Sequence, residues 1–246
     1  MRNVKLTIEY DGTNYNGWQV QRPGFKTIQG EIEKAIRTIT GKKTTLYGSG
    51  RTDSGVHGKG QIANFHTNGS MPFSKLKPAL NAVLPKDISI IKVKKVNKNF
   101  HSRYNAKSKI YSYAILNRKT NSPFLRKHTL HIPYKLNLSL IRKEAKVLLG
   151  RHDFKSFCAS GNKHKSTVRT IKKITIIKNK NSTVIIDIEA NGFLYNMVRN
   201  IVGTLIEIGR GKFTPGTMKQ LLKAKDRTKA GPTAPAHGLC LMKVRY

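Results

Sequence analysis

The sequence has 246 residues, enough for one large domain or two small ones, each with its own hydrophobic core. Its 47 lysine and arginine residues against 12 aspartate and glutamate residues give a net charge of +35, which predicts a polyanionic partner, most often nucleic acid. The few carboxylates argue against a two-metal nuclease site, two distant cysteines argue against a disulfide framework, and no apolar run is long enough to span a membrane.

The first hundred residues show alternating strand and helix patterns. Val4–Tyr10 has the period-two alternation of a half-buried strand. Thr27 predicts the N-cap of an amphipathic helix that Gly41 ends. Ser74–Leu84 predicts a second helix, in which Pro78 must lie in the first turn or mark a later start. With further strands at 44–47, 61–66 and 87–96, the order β-α-β-β-α-β predicts an α+β half built on a mainly antiparallel sheet.

A glycine-rich stretch, Gly48–Gly60, lies between the second and third predicted strands, and we call it the aspartate loop. Its five glycines allow tight and left-handed turns around a single carboxylate, Asp53. A carboxylate near a phosphate backbone is repelled, so Asp53 in a basic protein is a candidate catalytic group. The alternative is an Asx turn, in which Asp53 binds the amides of its own loop. The residues alone leave both interpretations open.

The aspartate loop also carries a recognisable motif. Gly-Arg-Thr-Asp-x-Gly-Val-His resembles the signature of the TruA family of tRNA pseudouridine synthases. Tyr-Asp-Gly-x-x-Tyr-x-Gly-Trp-Gln, which ends at Gln19, resembles the family's opening motif, although we expect Trp18 itself to fill the core. The resemblance implies that Asp53 is the nucleophile. Arg51 beside it is our candidate for holding the flipped nucleotide or for filling the space that it leaves.

Two further motifs surround the predicted domain boundary near residue 105. Phe-His-x-Arg resembles a family motif beside the active site, which implies that His101 and Arg103 contact the substrate; the alternative is a strand end with exposed basic groups. In the strand Lys109–Leu116, Tyr111 and Tyr113 share one face, as core residues commonly do. Lys-x-Tyr-x-Tyr, however, resembles the family's second motif, which implies that Tyr111 packs against the target base and leaves Tyr113 as a packing residue.

The middle of the second half predicts ordinary secondary structure. Asn137 predicts the cap of a helix over Leu138–Leu149, which Gly150 ends. The polar, basic residues of 161–169 predict a loop that contacts phosphates. Val168–Lys178 and Thr183–Ala190 alternate as the two strands of a hairpin.

The longest apolar helix is predicted to open in Asn191–Gly203 and to run to about Ile208. Arg199 lies off its apolar stripe, where a generic arginine is solvated. Phe-x-x-x-Met-Val-Arg-Asn-Ile-Val-Gly, however, resembles the family's third motif, which implies that Arg199 pairs with the catalytic aspartate.

The last fifth of the chain predicts a helix and a strand. Thr214-Pro215 predicts the start of a helix that runs through Lys223. Ala224–Thr228 resembles a family loop to which no role can be assigned from the residues. Gly238–Tyr246 predicts a closing strand, in which Leu239 or Leu241 lines the uracil pocket.

The resemblance spans the chain from near residue 6 to its end and implies a fold and a function. The fold is α+β, with two similar lobes, 1–105 carrying Asp53 and 106–246 carrying the tyrosine and arginine motifs. Each lobe has a mainly antiparallel sheet backed by helices, and the active site lies in the cleft between them.

The implied activity is isomerisation of uridine to pseudouridine at positions 38–40 of the tRNA anticodon stem-loop. The implied enzyme is a homodimer that uses no cofactor and no metal, and we expect it to be cytoplasmic because no signal peptide precedes the first strand. The alternative is a non-catalytic tRNA-binding or RNA-chaperone protein on the same fold.

Overall fold

A computed structural model describes residues 1–159 and 166–246 of the chain. This described part contains ten strands and five α-helices. The strands are β1 Arg2–Tyr10, β2 Tyr47–Gly48, β3 His57–Thr67, β4 Ile88–Val96, β5 Ser108–Asn117, β6 Leu130–Ile132, β7 Gly150–Asp153, β8 Val168–Lys178, β9 Thr183–Ala190 and β10 Leu239–Arg245. The helices are α1 Ile28–Thr40, α2 Phe73–Val83, α3 Leu138–Lys146, α4 Met197–Gly209 and α5 Thr217–Ala224. Most of the basic loop predicted at 161–169 lies outside the described residues.

The first of two compact units comprises Met1–Lys107 and Cys240–Tyr246. Its sheet has the strand order β4-β1-β3-β10, and β2 also pairs with β3. β1 is antiparallel to both β3 and β4. β10 is parallel to β3, with Cys240 opposite His57 and Leu241 opposite Gly58. β3 is therefore the central strand of this unit, and the aspartate loop leads directly into it.

The core of the first unit lies between the sheet and α1. Alternate residues of β1 and every fourth residue of α1 are fully buried, which reproduces the periodicities predicted from the sequence. Thr27 Oγ1 accepts a hydrogen bond from the Gly30 backbone nitrogen at 3.2 Å, and Gly41 ends α1 with a φ of 69°. The predicted caps are therefore confirmed. Trp18 is 1% exposed and fills the core as expected.

Helix α2 contains Pro78 in its interior, so the prediction that Pro78 lies in the first turn is wrong. A proline in this position removes one backbone donor and crowds the preceding turn. Pro78 is exposed, and the buried side chains of Leu76 and Leu80 on the opposite face hold the helix against the core. Tertiary packing thus outweighs the local cost of the proline.

The second unit comprises Ser108–Leu239. Its strand order is β5-β9-β8-β7, all antiparallel, and β6 pairs in parallel with β5. The hairpin β8–β9 has the predicted bounds, although a register shift between Ile171 and Lys173 interrupts the alternation of β8. The buried residues of β5, Tyr113 and Ile115 among them, pack as the predicted core face.

Several predicted helix and strand boundaries differ from the observed ones. α3 ends at Lys146 rather than Leu149, and α4 begins only at Met197, because Asn196 takes a left-handed φ of 58°. α5 begins at Thr217 rather than at Pro215, since Gly216 has a φ of 90°. The strand predicted at 44–47 is reduced to β2.

The predicted α+β class with mainly antiparallel pairing is confirmed. The lobes 1–105 and 106–246 and the cleft between them stay predictions. β10, which the sequence assigns to the second lobe, pairs with β3 and belongs mostly to the first unit. Within the described ranges, no helix is both long and apolar enough to cross a membrane.

Candidate active site

The aspartate loop presents Asp53 at the start of a tight turn. The Val56 backbone nitrogen donates to the Asp53 carbonyl oxygen at 3.1 Å, which closes a four-residue turn. Gly55, the third residue of this turn, has a φ of 75°, a value that L side chains rarely adopt. The Asp53 residue is half-buried. The glycine thus has a defined purpose: it lets the chain reverse directly after the carboxylate.

A second loop, Asp11–Gln19, holds the aspartate loop in place, and we call it the N-terminal loop. The Trp18 backbone nitrogen donates to the Thr52 carbonyl oxygen at 3.0 Å, and Ser54 Oγ donates to the Tyr15 carbonyl oxygen at 3.0 Å. A Cβ on Gly17 would lie 2.6 Å from the Thr52 carbonyl oxygen. The two loops can therefore approach this closely only with glycine at this position, and their contacts bracket Asp53.

The end of the aspartate loop is attached to the same neighbour. His57 Nδ1 lies 3.1 Å from the Gly12 backbone nitrogen and 3.1 Å from Asp11 Oδ1. A neutral Nδ1 accepts from the Gly12 amide, and a protonated Nδ1 donates to the Asp11 carboxylate. Buried Tyr10 adds a hydroxyl contact of 2.9 Å to Thr52, and its burial raises the pKa of the phenol well above its ordinary value.

The other residues predicted in the first unit differ in exposure. Arg51 is exposed, and its Nε donates to Gln19 Oε1 at 3.1 Å. His101 is half-buried and Arg103 is exposed, on the turn that follows Phe100. Leu241 is 0% exposed. The structure thus gives Arg51 and Arg103 solvent-facing positions from which a large anionic substrate can be reached.

In the second unit, Arg199 is oriented from two sides. It is the third residue of α4, and its Nε donates to the Ala234 carbonyl oxygen at 2.7 Å. Its Nη1 donates to Asn196 Oδ1 at 2.9 Å. Asn196 stands directly before α4 in the left-handed conformation, so the unusual backbone at the helix start also positions an acceptor for Arg199.

The segment that supplies the Ala234 carbonyl oxygen is attached to α4 by a buried polar network. Asn200 Oδ1 accepts from Arg227 Nη2 at 3.0 Å and from Thr233 Oγ1 at 2.6 Å. A Cβ on Gly203 would lie 1.8 Å from the Pro232 carbonyl oxygen, so glycine lets this segment lie against the helix. These contacts give the Asp226-Arg227-Thr228 loop the structural role that the sequence left open.

The two tyrosines of β5 have different surroundings. Tyr111 is 7% exposed, and its ring meets that of Phe193 edge-on with the centroids 5.1 Å apart. Tyr113 is 0% exposed, donates from its hydroxyl to the Pro235 carbonyl oxygen at 2.8 Å, and has a raised pKa because of its burial. Tyr113 is thus a packing residue, as predicted. Leu239 is 5% exposed and ends this unit.

The sequence analysis missed the residues that hold the Ala234 segment, and with it the acceptor of Arg199, against α4. Asn200, Arg227, Thr233 and the Ala234 carbonyl are brought together from positions up to 35 residues apart. The one available signal was Asn200, a polar residue next to Arg199 within a largely apolar helix. Such a residue needs buried partners, but the sequence does not name them.

Comparisons with known proteins show the family to which the chain belongs. The tRNA pseudouridine synthase family matches residues 6–105 and 145–246. The chain is 52% identical to tRNA pseudouridine synthase A of Thermoanaerobacter sp. (strain X514) and 50% identical to that of Clostridium acetobutylicum, in each case over 100% of both chains. A crystal structure of the archaeal box H/ACA sRNP Nop10-Cbf5 complex matches at 12% identity and a TM-score of 0.35, over 82% of this chain and 44% of that one.

The chain therefore belongs to the tRNA pseudouridine synthase family. The family membership and the enzyme class predicted from the sequence, an isomerase, are confirmed.

Proposed function

We propose that this enzyme converts uridine to pseudouridine at positions 38–40 of the tRNA anticodon stem-loop, with Asp53 as its nucleophile. The observation that supports this most is the tight turn at Asp53, which hydrogen bonds from the N-terminal loop fix on both sides of the carboxylate. A nucleophile held in a defined position loses little freedom on reaching the transition state. The full-length relatives that carry the name tRNA pseudouridine synthase A support the substrate class.

The reaction rearranges bonds without net oxidation or reduction. The glycosidic bond between uracil N1 and ribose C1′ breaks, a bond between uracil C5 and C1′ forms, N1 gains a proton, and the C5 hydrogen leaves to solvent. Asp53 acts as the ionised carboxylate and attacks either C1′ or the uracil ring. Arg199 stabilises the charged form of Asp53, because an opposite charge favours ionisation of a carboxyl group.

The target uridine must leave the RNA stem before Asp53 can reach it. Flipping a base costs roughly a few kcal/mol in lost stacking and pairing. Tyr111 packs against the flipped base, Leu239 or Leu241 lines the uracil pocket, and exposed Arg51 holds the nucleotide or fills the space it leaves. His101 and Arg103 contact the tRNA, and the net charge of +35 attracts its phosphates.

We also propose that the enzyme is a cytoplasmic homodimer. The substrate class supports the location, since tRNA that awaits modification is a cellular RNA. The reaction proposed for Asp53 and Arg199 depends on neither the dimer nor the location.

The proposal is tested by mapping pseudouridine in an unmodified tRNA transcript after incubation with native protein, Asp53→Ala and Asp187→Ala. Asp187, on β9, is half-buried like Asp53 but has no role in the proposed site. We expect modification at one or more of positions 38–40 with the native protein and with Asp187→Ala, and none with Asp53→Ala, which should still bind tRNA. Modification at other positions only would contradict the proposed target, and near-normal activity of Asp53→Ala would contradict the proposed nucleophile.

A further inference from the structure

Three aromatic rings are in contact beside the start of the aspartate loop. The His101 ring contacts those of Tyr47 and Tyr104, with centroid distances of 5.1 Å and 4.4 Å and interplanar angles of 45° and 37°. Tyr104 is 76% exposed and Tyr47 is 41% exposed. The guanidinium carbon of Arg103 lies 5.8 Å from the centre of the Tyr104 ring. We call these four residues the ring cluster.

Hydrogen bonds fix the ring cluster to the first unit. The His101 backbone nitrogen donates to Asn105 Oδ1 at 2.7 Å, and the Asn105 backbone nitrogen donates to the His101 carbonyl oxygen at 3.1 Å. Ser102 lies buried beneath the turn, where its Oγ donates to the Tyr47 carbonyl oxygen and its backbone nitrogen to Asn64 Oδ1. The rings are therefore presented in a fixed arrangement, although most of Tyr104 is in contact with water.

The ring cluster also carries the charge that a nucleotide requires. The Arg103 backbone nitrogen donates to His101 Nδ1 at 3.1 Å, a bond that needs an unprotonated imidazole nitrogen. The cation of Arg103 thus stands beside neutral rings. Exposed residues around the turn are polar or basic, among them Lys98, Asn99 and Asn105. An apolar protein interface would place apolar groups here, whereas aromatic rings beside an arginine are what unpaired RNA bases stack upon.

We propose that the ring cluster is a stacking platform for one unpaired nucleotide of the RNA substrate, with Tyr104 beneath the base and Arg103 on a phosphate. This inference rests on the proposed function for the substrate class, but it concerns binding rather than isomerisation. Tyr47 directly precedes the aspartate loop and lies six residues before Asp53 in the chain. The nucleotide that binds the platform is therefore a close neighbour of the modified one. The platform binds a different nucleotide from the target uridine, whose base packs against Tyr111 in the proposed function.

The test measures the affinity for an unmodified tRNA transcript over a series of salt concentrations. Tyr104→Ala should weaken binding roughly 10-fold without changing the slope of log affinity against log salt, because a stacking ring releases no counterions. Tyr104→Trp should restore most of the affinity. Arg103→Gln should reduce the slope by about one, as expected for the loss of one phosphate contact.

Tyr134→Ala is the matched control. Tyr134 is 39% exposed and has the Arg210 guanidinium 4.4 Å from its ring, so it has the same residue type and the same kind of neighbour. Its affinity should equal that of the native protein, and all variants should keep the native melting temperature.

Native affinity of Tyr104→Ala at every salt concentration would overturn the proposal, and so would an equal loss in Tyr134→Ala. A change of association state in Tyr104→Ala, seen by sedimentation, would assign the ring cluster to a protein interface instead. Failure of the native protein to form pseudouridine is a separate outcome, which would refute the proposed function alone.

Discussion

The guanidinium of Arg199 is oriented by two acceptors, the Ala234 carbonyl oxygen and Asn196 Oδ1, and not by its charge alone. A lysine keeps the charge but cannot reproduce this planar fork. Hydrogen bonds to charged groups contribute about 1.5–3 kcal/mol each.

We therefore expect Arg199→Lys to lower kcat roughly 10- to 100-fold while the Kd for tRNA stays close to native. Single-turnover assays and filter binding measure the two quantities. Arg210→Lys is the control, because Arg210 directly follows the same helix but pairs with Glu207 and the Tyr134 ring rather than with a proposed site residue. An equal loss of kcat in both variants would show that the orientation of Arg199 is irrelevant.

His101 gives a prediction for the effect of pH. Burial, and after it the charge of Arg103, lowers the pKa of His101 from its ordinary value of 6.5. Because the folded state binds this proton less tightly than the unfolded state, the contribution of His101 to stability is complete above pH 6.5 and is lost as the pH falls through the lowered pKa.

An NMR titration measures this pKa, with His101→Gln identifying the resonance. We expect the midpoint below 6.5 in the native protein and a rise toward 6.5 in Arg103→Gln. A midpoint above 6.5 would require a protonated imidazole and would remove the acceptor that the Arg103 backbone nitrogen needs.

Individual site residues could be named from sequence only where a motif carried them. Asp53, Tyr111 and Arg199 were named in this way, whereas the acceptor at Ala234 lies 35 residues beyond Arg199 in the chain. No local pattern encodes a contact of that separation. Two of the four residues of the ring cluster could be named from the sequence, because the Phe-His-x-Arg motif contains His101 and Arg103. The position of Tyr47 could not, because it depends on how β2 pairs with β3.

The start of α5 shows how a distant side chain sets the boundary of an element. The Glu144 side chain, 3% exposed, accepts from the Gly216 backbone nitrogen at 2.7 Å and from the Met218 backbone nitrogen at 3.0 Å. It thereby binds amides that helix α5 leaves unpaired and opposes the positive end of the helix dipole. The local Thr214-Pro215 pattern predicted a helix start two residues before the observed one. The side chain that caps α5, Glu144, lies 72 residues away in the chain and could not be recognised from that pattern.

Glu144→Gln should lower the free energy of unfolding by about 1–3 kcal/mol, since one of the two buried amides loses its acceptor. Denaturant unfolding measures this change. Glu9→Gln, at an exposed position of β1, should change it by less than about 0.5 kcal/mol. A Glu144→Gln variant as stable as the native protein would mean that water replaces the carboxylate without cost.

Strand β9 was predicted with its observed bounds because its period-two alternation is a local property. Helix α2 was not, since the burial of Leu76 and Leu80 keeps Pro78 within it. Local patterns therefore determine most elements here, and tertiary contacts decide their ends.

The whole molecule is strongly basic, and its net charge of +35 has a direct consequence for binding. Each phosphate contact releases condensed counterions, so affinity for tRNA should fall by roughly 100-fold or more between 50 and 200 mM salt. Equilibrium binding at constant pH measures this dependence. An affinity that does not change with salt would contradict an electrostatic mode of binding.

The most direct measurement uses a tRNA transcript labelled with tritium at uracil C5, incubated with native protein, Asp53→Asn and Asp187→Asn. Formation of the C5–C1′ bond releases the label to solvent. We predict release by the native protein and by Asp187→Asn, and no release by Asp53→Asn although it still binds the transcript. Release by Asp53→Asn at the native rate would show that Asp53 is not the nucleophile. Binding without release by any of the three proteins would make this chain a tRNA-binding protein on a synthase fold.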